Sequence, residues 1–338
     1  MESLGGLIKS LALLFILCFV GQSVAAEINV YSGRKEALIK PLLDKFTEQT
    51  GIKVNLVTGK ADALISRAAS EGEFSPVDLL VMADAGRLVR AKNMGLTQTL
   101  DVDLPTLSTS FVDPEGHWVA LTTRARAIMY KKGAANDLPE SMLALANDKY
   151  RGKICVRSSS NIYNQSMTAA MLIEHGAART ADWASGIAAN MARKPKGGDR
   201  DQIKAMIAGE CDYAIANTYY LGGMLSSSDE STRKVAEQVA IAWTPAAKGG
   251  THINISGISI AKHAPNKSDA QKLITFMLAA EQQAWYAQVN QEYPVLKNAD
   301  WSEILESLGR FDTQLVDFNK MGQLNGEALK IMDRAGWQ

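Results

Sequence analysis

Apolar positions recur along the chain with two periods, and the switches between them outline the elements. Residues 27–32, Glu-Ile-Asn-Val-Tyr-Ser, alternate polar and apolar side chains among β-formers, which predicts a strand. Over 36–49 the apolar positions Ala37, Leu38, Leu42, Leu43 and Phe46 fall at helical spacing, and Thr50-Gly51 stops that helix. A second strand follows over 52–57, so the segment reads as a βαβ unit with a parallel sheet. A helix over 62–69 and a break at Phe74-Ser75-Pro76 lead to residues 77–82. That run is almost wholly apolar, as in a strand covered on both faces. A short helix over 86–94 completes a first α/β lobe.

The second half of the pattern builds another lobe. Residues 118–121 and 125–130 read as two strands flanking Thr122-Thr123-Arg124, and Leu138-Pro139 and Ser141 as a helix start. A strand over 153–157 runs into Ser158-Ser159-Ser160-Asn161. The next helix, 162–175, carries Tyr163, Met167, Ala170, Met171 and Glu174 at its repeat. After a helix over 199–207, a strand over 211–216 delivers Asn217-Thr218-Tyr219-Tyr220 ahead of a turn at Gly222-Gly223. A strand over 253–261 can return to the first lobe. A long helix over 268–289, an extended break at Glu292-Tyr293-Pro294-Val295 and a mostly helical tail from Trp301 follow. No fixed-period repeat and no low-complexity linker separates the lobes. The expected architecture is α/β with two lobes: 27–125 with 252–302, and 126–251 with 303–338. Strands join them and a ligand cleft lies between.

Composition narrows the class. The 338 residues are 46% hydrophobic and 21% charged, a globular balance, and 36 basic residues match 36 acidic ones, so nothing suggests nucleic acid as a partner. Lys9, the apolar run 11–20 and small residues up to Ala26 read as a signal peptide, 1–26, too short for a comfortable membrane span. Its cleavage removes Cys18 and leaves Cys155 and Cys211. In an oxidising compartment an even pair suggests a disulfide, the other reading being two buried thiols.

Familiar catalytic patterns are missing: no glycine-rich phosphate loop, no nucleophile elbow and no zinc-binding His pair. His117, His175, His252 and His263 are scattered without ligand spacing. Oxygen-bearing side chains stand out instead. Tyr219-Tyr220 at a strand end is either packing or a pair of phenolate donors for a hard cation. Asn161 is a helix cap, and the same helix N-terminus can also hold an anion. Arg34 and Arg124 carry planar forks suited to carbonate, phosphate or carboxylate.

Five stretches together resemble one family. They are Val30-Tyr31-Ser32-Gly33-Arg34, Thr122-Thr123-Arg124-Ala125-Arg126, Arg157 through Asn164, Asn217-Thr218-Tyr219-Tyr220 and Glu292-Tyr293-Pro294-Val295, in that order across the mature chain. The chain resembles the periplasmic ferric iron-binding proteins of ATP-binding-cassette importers. The resemblance implies a type II periplasmic binding protein fold, with Tyr163, Tyr219 and Tyr220 coordinating Fe³⁺. It further implies a synergistic anion such as carbonate, held by Arg34 with Arg124 and Ser159 as further contacts. Relatives that place a His after the first strand differ here, where Arg34-Lys35 stands, and near the place of a family carboxylate this chain has Ala83-Asp84. Tyr31 is read as structural. The implied protein is monomeric, works in the periplasm, delivers to an inner-membrane permease and is not an enzyme. The same fold binding an oxyanion, or a secreted metal-dependent enzyme, are the competing readings.

Overall fold

The structure is a computed structural model, and it describes residues 26–134 and 137–338. The signal-peptide reading, with Cys18, falls outside the described residues except for Ala26. The chain begins with β1 (Glu27–Ser32), α1 (Lys40–Thr50), β2 (Lys53–Thr58), α2 (Ala61–Glu71), β3 (Leu79–Met82), α3 (Ala85–Asn93) and β4 (Thr97–Gln98). Strand β1 pairs in parallel with both β2 and β3, which is the expected βαβ arrangement. Leu79, Leu80, Val81 and Met82 are all fully buried, as their unbroken apolar run requires.

Next come β5 (Val119–Lys131), β6 (Ile154–Cys155), α4 (Ile162–Asn190), α5 (Asp199–Ile207), β7 (Tyr213–Asn217), α6 (Thr218–Leu225), α7 (Glu230–Ala236) and β8 (Val239–Ala242). The chain closes with β9 (Ile253–Ala261), α8 (Lys267–Leu278), α9 (Ala280–Trp285), β10 (Tyr293–Pro294), α10 (Glu303–Ser307) and α11 (Phe318–Arg334). One curled sheet runs in the order β2-β1-β3-β9-β5-β7-β6. Its pivot is β5. From Val119 to Ala125 that strand pairs with β9, and from Arg126 onward it pairs with β7 and β8. The two strands expected on either side of Thr122-Thr123-Arg124 are therefore one, because the three residues keep their pairing with Ser256, Ile255 and Asn254 across a single register shift.

Three other expectations are corrected. No α-helix starts at Ser141; short 3₁₀ turns occupy Ala144–Ala146 and Asp148–Tyr150. The helix that ends at His175 continues past a kink at Gly176, whose φ of 76° favours glycine, and runs on to Asn190. The long helix over 268–289 breaks at Ala279, which is extended, and ends in a π-helical turn, Tyr286–Asn290. Buried Gln283 explains that break. Its amide donates to Leu121 O and Met277 O and accepts from Val295 N, so the chain bends to bring three segments to one side chain.

Cys155 and Cys211 form a disulfide, with Cα atoms 5.9 Å apart, between the end of β6 and the start of β7. They are buried among Met129, Ile203, Met206, Leu221 and Met224. Closing a separation of 56 residues reduces unfolded-chain entropy by the equivalent of about 4 kcal/mol. Cys155→Ser with Cys211→Ser is expected to lower unfolding stability by that order in denaturant titration. An unchanged midpoint would show that the bridge does not stabilise the fold.

Candidate metal centre

All three tyrosines singled out above stand in the first turns of helices. Tyr163 is the second residue of α4, and Tyr219 and Tyr220 are the second and third of α6. The strand expected to end in a turn at Gly222-Gly223 instead passes directly into α6. Gly222 lies inside that helix because a Cβ there would meet Gln291 Cβ at 2.6 Å. Helical side chains lean toward the helix N-terminus, so these phenols lie toward ends that carry partial positive charge.

The elements converge. Tyr219 donates to the Tyr163 hydroxyl at 3.2 Å, and the rings of Tyr219 and Tyr220 pack with centroids 4.2 Å apart. Arg124 lies over the Tyr163 ring, 5.7 Å from its centroid, and Arg200 over that of Tyr220 at 5.3 Å. Thr218 accepts a bond from Ala125 N, which ties this turn to the pivot of β5. Among the described residues no three His, Cys, Asp or Glu side chains form a group that could hold a metal ion. Burial drives Tyr219 well above the ordinary tyrosine range, with Tyr163, Tyr220 and Asp199 adding to the effect and Arg124 opposing it. Burial, reinforced by Tyr163 and Asp199, pushes Tyr220 up to about 12.

The arginines divide. Arg34, 6% exposed, donates to Ser256 Oγ at 2.5 Å and to Glu292 Oε2 at 2.8 Å. Its charge is near Tyr219 but already matched by Glu292, which also accepts from Thr122. Arg124 reaches the same Ser256 at 2.8 Å and the carbonyl of Ala83, and among the described residues it forms no ion pair. Ser159, expected at the anion, donates its hydroxyl to Asp333 Oδ1 at 2.6 Å, a charge-assisted bond that uses its one proton. Asn161 caps α4 by accepting from Asn164 N. Asp84 caps α3 and also accepts from Ser166 and Asn254. Tyr31 donates to Glu71, away from the cluster's partners.

Several site residues had escaped assignment from the sequence: Arg126, Asn164, Asp199, Arg200 and Glu292. The signal available was Arg124-Ala125-Arg126 within a strand of β-formers, since charges in a buried strand require counter-charges elsewhere.

Residues 42–309 match the bacterial extracellular solute-binding protein family. The chain belongs to that family. Within it, the chain is 42% identical over 320 residues to iron uptake protein A1 of Synechocystis, covering 92% of this chain and 88% of that protein. The fold matches the Trichodesmium protein (IdiA, FutA) in complex with iron and citrate ligands, with TM-score 0.87, 39% identity, and 93% and 100% of the two chains covered. It also matches apo ferric ion-binding protein A of Pasteurella haemolytica, with TM-score 0.86, 42% identity, and 93% and 98% covered. The architecture is that of type II periplasmic binding proteins, as the sequence resemblance implied.

The direction of the tyrosine shifts sets an alkaline limit on stability. The unfolded chain loses these protons near pH 10, the folded apo protein nearer pH 12 for Tyr220. Their contribution is therefore complete below about pH 10 and is lost as pH rises through the folded value. Tyr220→Phe should flatten the decline of the unfolding midpoint across that window. Parallel declines in both proteins would show that Tyr220 ionises as a free tyrosine.

Proposed function

We propose that this protein binds ferric iron through Tyr163, Tyr219 and Tyr220 in the periplasm and delivers it to an inner-membrane ABC permease. The observation that carries this reading is the convergence of three tyrosines from two helix N-termini, with Tyr219 donating to the Tyr163 hydroxyl at 3.2 Å and the Tyr220 ring packed on that of Tyr219. Ferric iron is a hard cation that prefers oxygen, by extension of the matching that suits oxygen ligands to hard divalent ions. Three phenolates balance its charge. The names of the relatives, an iron uptake protein and a ferric ion-binding protein, support the same cargo.

Arg124 is the residue best placed for a synergistic anion such as carbonate, because its charge lies beside Tyr163 without a paired carboxylate among the described residues. Arg34 contributes field rather than a free fork. Residues 27–125 with 252–302 form one lobe and 126–251 with 303–338 the other, hinged where β5 exchanges β9 for β7. Bound iron and its anion favour closure by contacting both. The carrier works as a monomer, exported by its signal peptide, and performs no catalysis. Among the described residues, no helix is long and apolar enough to cross a membrane.

Loading with Fe³⁺ is expected to produce a visible tyrosinate-to-iron charge-transfer band, and Tyr220→Phe to weaken both band and affinity. An unaltered band and affinity in that variant would sink the metal assignment; a colourless protein that retains phosphate or sulfate would favour the oxyanion reading. A phenol that binds ferric iron as phenolate gives up its proton, so coordination by three phenolates releases three protons. Each unit of pH lowered should weaken binding by about tenfold per phenolate, about a thousandfold in all. A proton release near zero, measured by buffer-dependent calorimetry, would contradict phenolate coordination.

A further inference from the structure

Behind the tyrosines one guanidinium reaches every segment that carries them. Arg126 lies on β5 opposite Asn217 and is 2% exposed. Its Nε and Nη2 donate to Asn164 Oδ1 at 3.1 and 2.6 Å. Its Nη1 donates to Asn217 Oδ1 at 3.0 Å and to Asp199 Oδ2 at 3.3 Å, and Nη2 reaches Ile215 O at 3.5 Å. All five N–H groups of the fork are thereby used.

Each acceptor adjoins a residue of the metal centre. Asn164 follows Tyr163 in the first turn of α4. Asn217 precedes Tyr219 by two residues, and its own N–H donates to Asp199 at 3.1 Å. Asp199 precedes Arg200, the group over the Tyr220 ring. The acceptors are held in turn: Asn164 Nδ2 donates to Arg157 O and Ser158 O, which fixes the loop leading into α4.

We propose that Arg126 is a positioning residue of the iron site, setting the spacing and orientation of the Tyr163 and Tyr219-Tyr220 turns relative to each other. The geometry assigns it no contact with cargo or anion, since its donors face inward and are all engaged. Asn217 shows the cost of the arrangement. It stands at the N-cap of α6 yet makes no side-chain cap bond, because its oxygen accepts from Arg126 instead. Lysine retains the charge but is a point donor without the fork, so it cannot span acceptors on three elements.

This inference rests on reading the tyrosines as iron donors. The test loads wild type, Arg126→Lys and Arg126→Gln with Fe³⁺ and records the charge-transfer band, the Fe³⁺ affinity of the folded fraction and the thermal midpoint of the apo protein. Loss of groups that orient metal ligands typically costs about 10–100-fold in affinity. Both variants are expected to show that weakening together with a shifted, weaker band in protein that remains folded. A lowered thermal midpoint with wild-type band and affinity would reduce Arg126 to a structural role and overturn the proposal. Where the Arg126 variants do not fold, Asn164→Ser and Asn217→Ser each release one tyrosine-bearing turn. Unchanged bands in both would likewise overturn it. Absence of a band in wild type would instead remove the iron reading itself, and this inference with it.

Discussion

Two permanent positive charges buried on one strand organise this molecule. Arg124 and Arg126 are 1% and 2% exposed, and a guanidinium does not shed its charge on burial. Each must therefore find acceptors within the fold, because an unmatched buried charge costs several kcal/mol. They do so in different places. Arg124 turns to Ser256 on β9 and Ala83 beyond β3, and Arg126 to Asn164, Asn217 and Asp199. The strand changes its pairing partner between these two residues. The local demand for counter-charge and the long-range division of the sheet thus coincide at Ala125, whose N–H is bonded to Thr218, the residue before the tyrosine pair. The site stands where the two halves of the sheet meet because the groups that satisfy Arg126 adjoin the tyrosines, while Arg124 ties the same strand to β9 and to Ala83 beyond β3.

Much of this was legible from residue order. The βαβ opening, the unbroken apolar run of β3 and the helix after Asn161 are local patterns, set by periodicity and by capping chemistry that acts within a few residues. Tyr163 and Tyr219-Tyr220 were assigned through the family resemblance, and the structure brings them together. What could not be read depends on partners distant in sequence. Thr122-Thr123-Arg124 looked like a break because its polar residues violate strand composition; their hydrogen bonds to Glu292 and Ser256 lie more than a hundred residues away. The helix over 268–289 breaks for a side chain, Gln283, that serves Leu121. Ser159 read as an anion contact because its partner Asp333 is 174 residues further on. Gly222 read as a turn because the close neighbour that demands a glycine, Gln291, comes from a different lobe of the expected division.

The state of the phenols before cargo arrives bears on selectivity. Burial holds Tyr219 and Tyr220 above the ordinary tyrosine range, and the nearby Tyr163 and Asp199 add to that. Every cation that binds must therefore displace protons held more tightly than in solution, and the opposing cost falls on weak Lewis acids as fully as on strong ones. A divalent ion returns less phenolate-to-metal attraction for the same loss of protons. The centre also lacks a nearby cluster of His, Cys, Asp or Glu among the described residues, donors that would bind without so large a proton penalty. Arg34 and Arg126 are neutralised by Glu292 and Asp199, so neither adds an unmatched repulsion. Arg124 beside Tyr163 and Arg200 over the Tyr220 ring form no ion pair among the described residues, and both charges disfavour a bare cation while favouring one accompanied by an anion. High proton affinity and these guanidinium charges act in the same direction, toward a small trivalent ion bound together with an anionic partner.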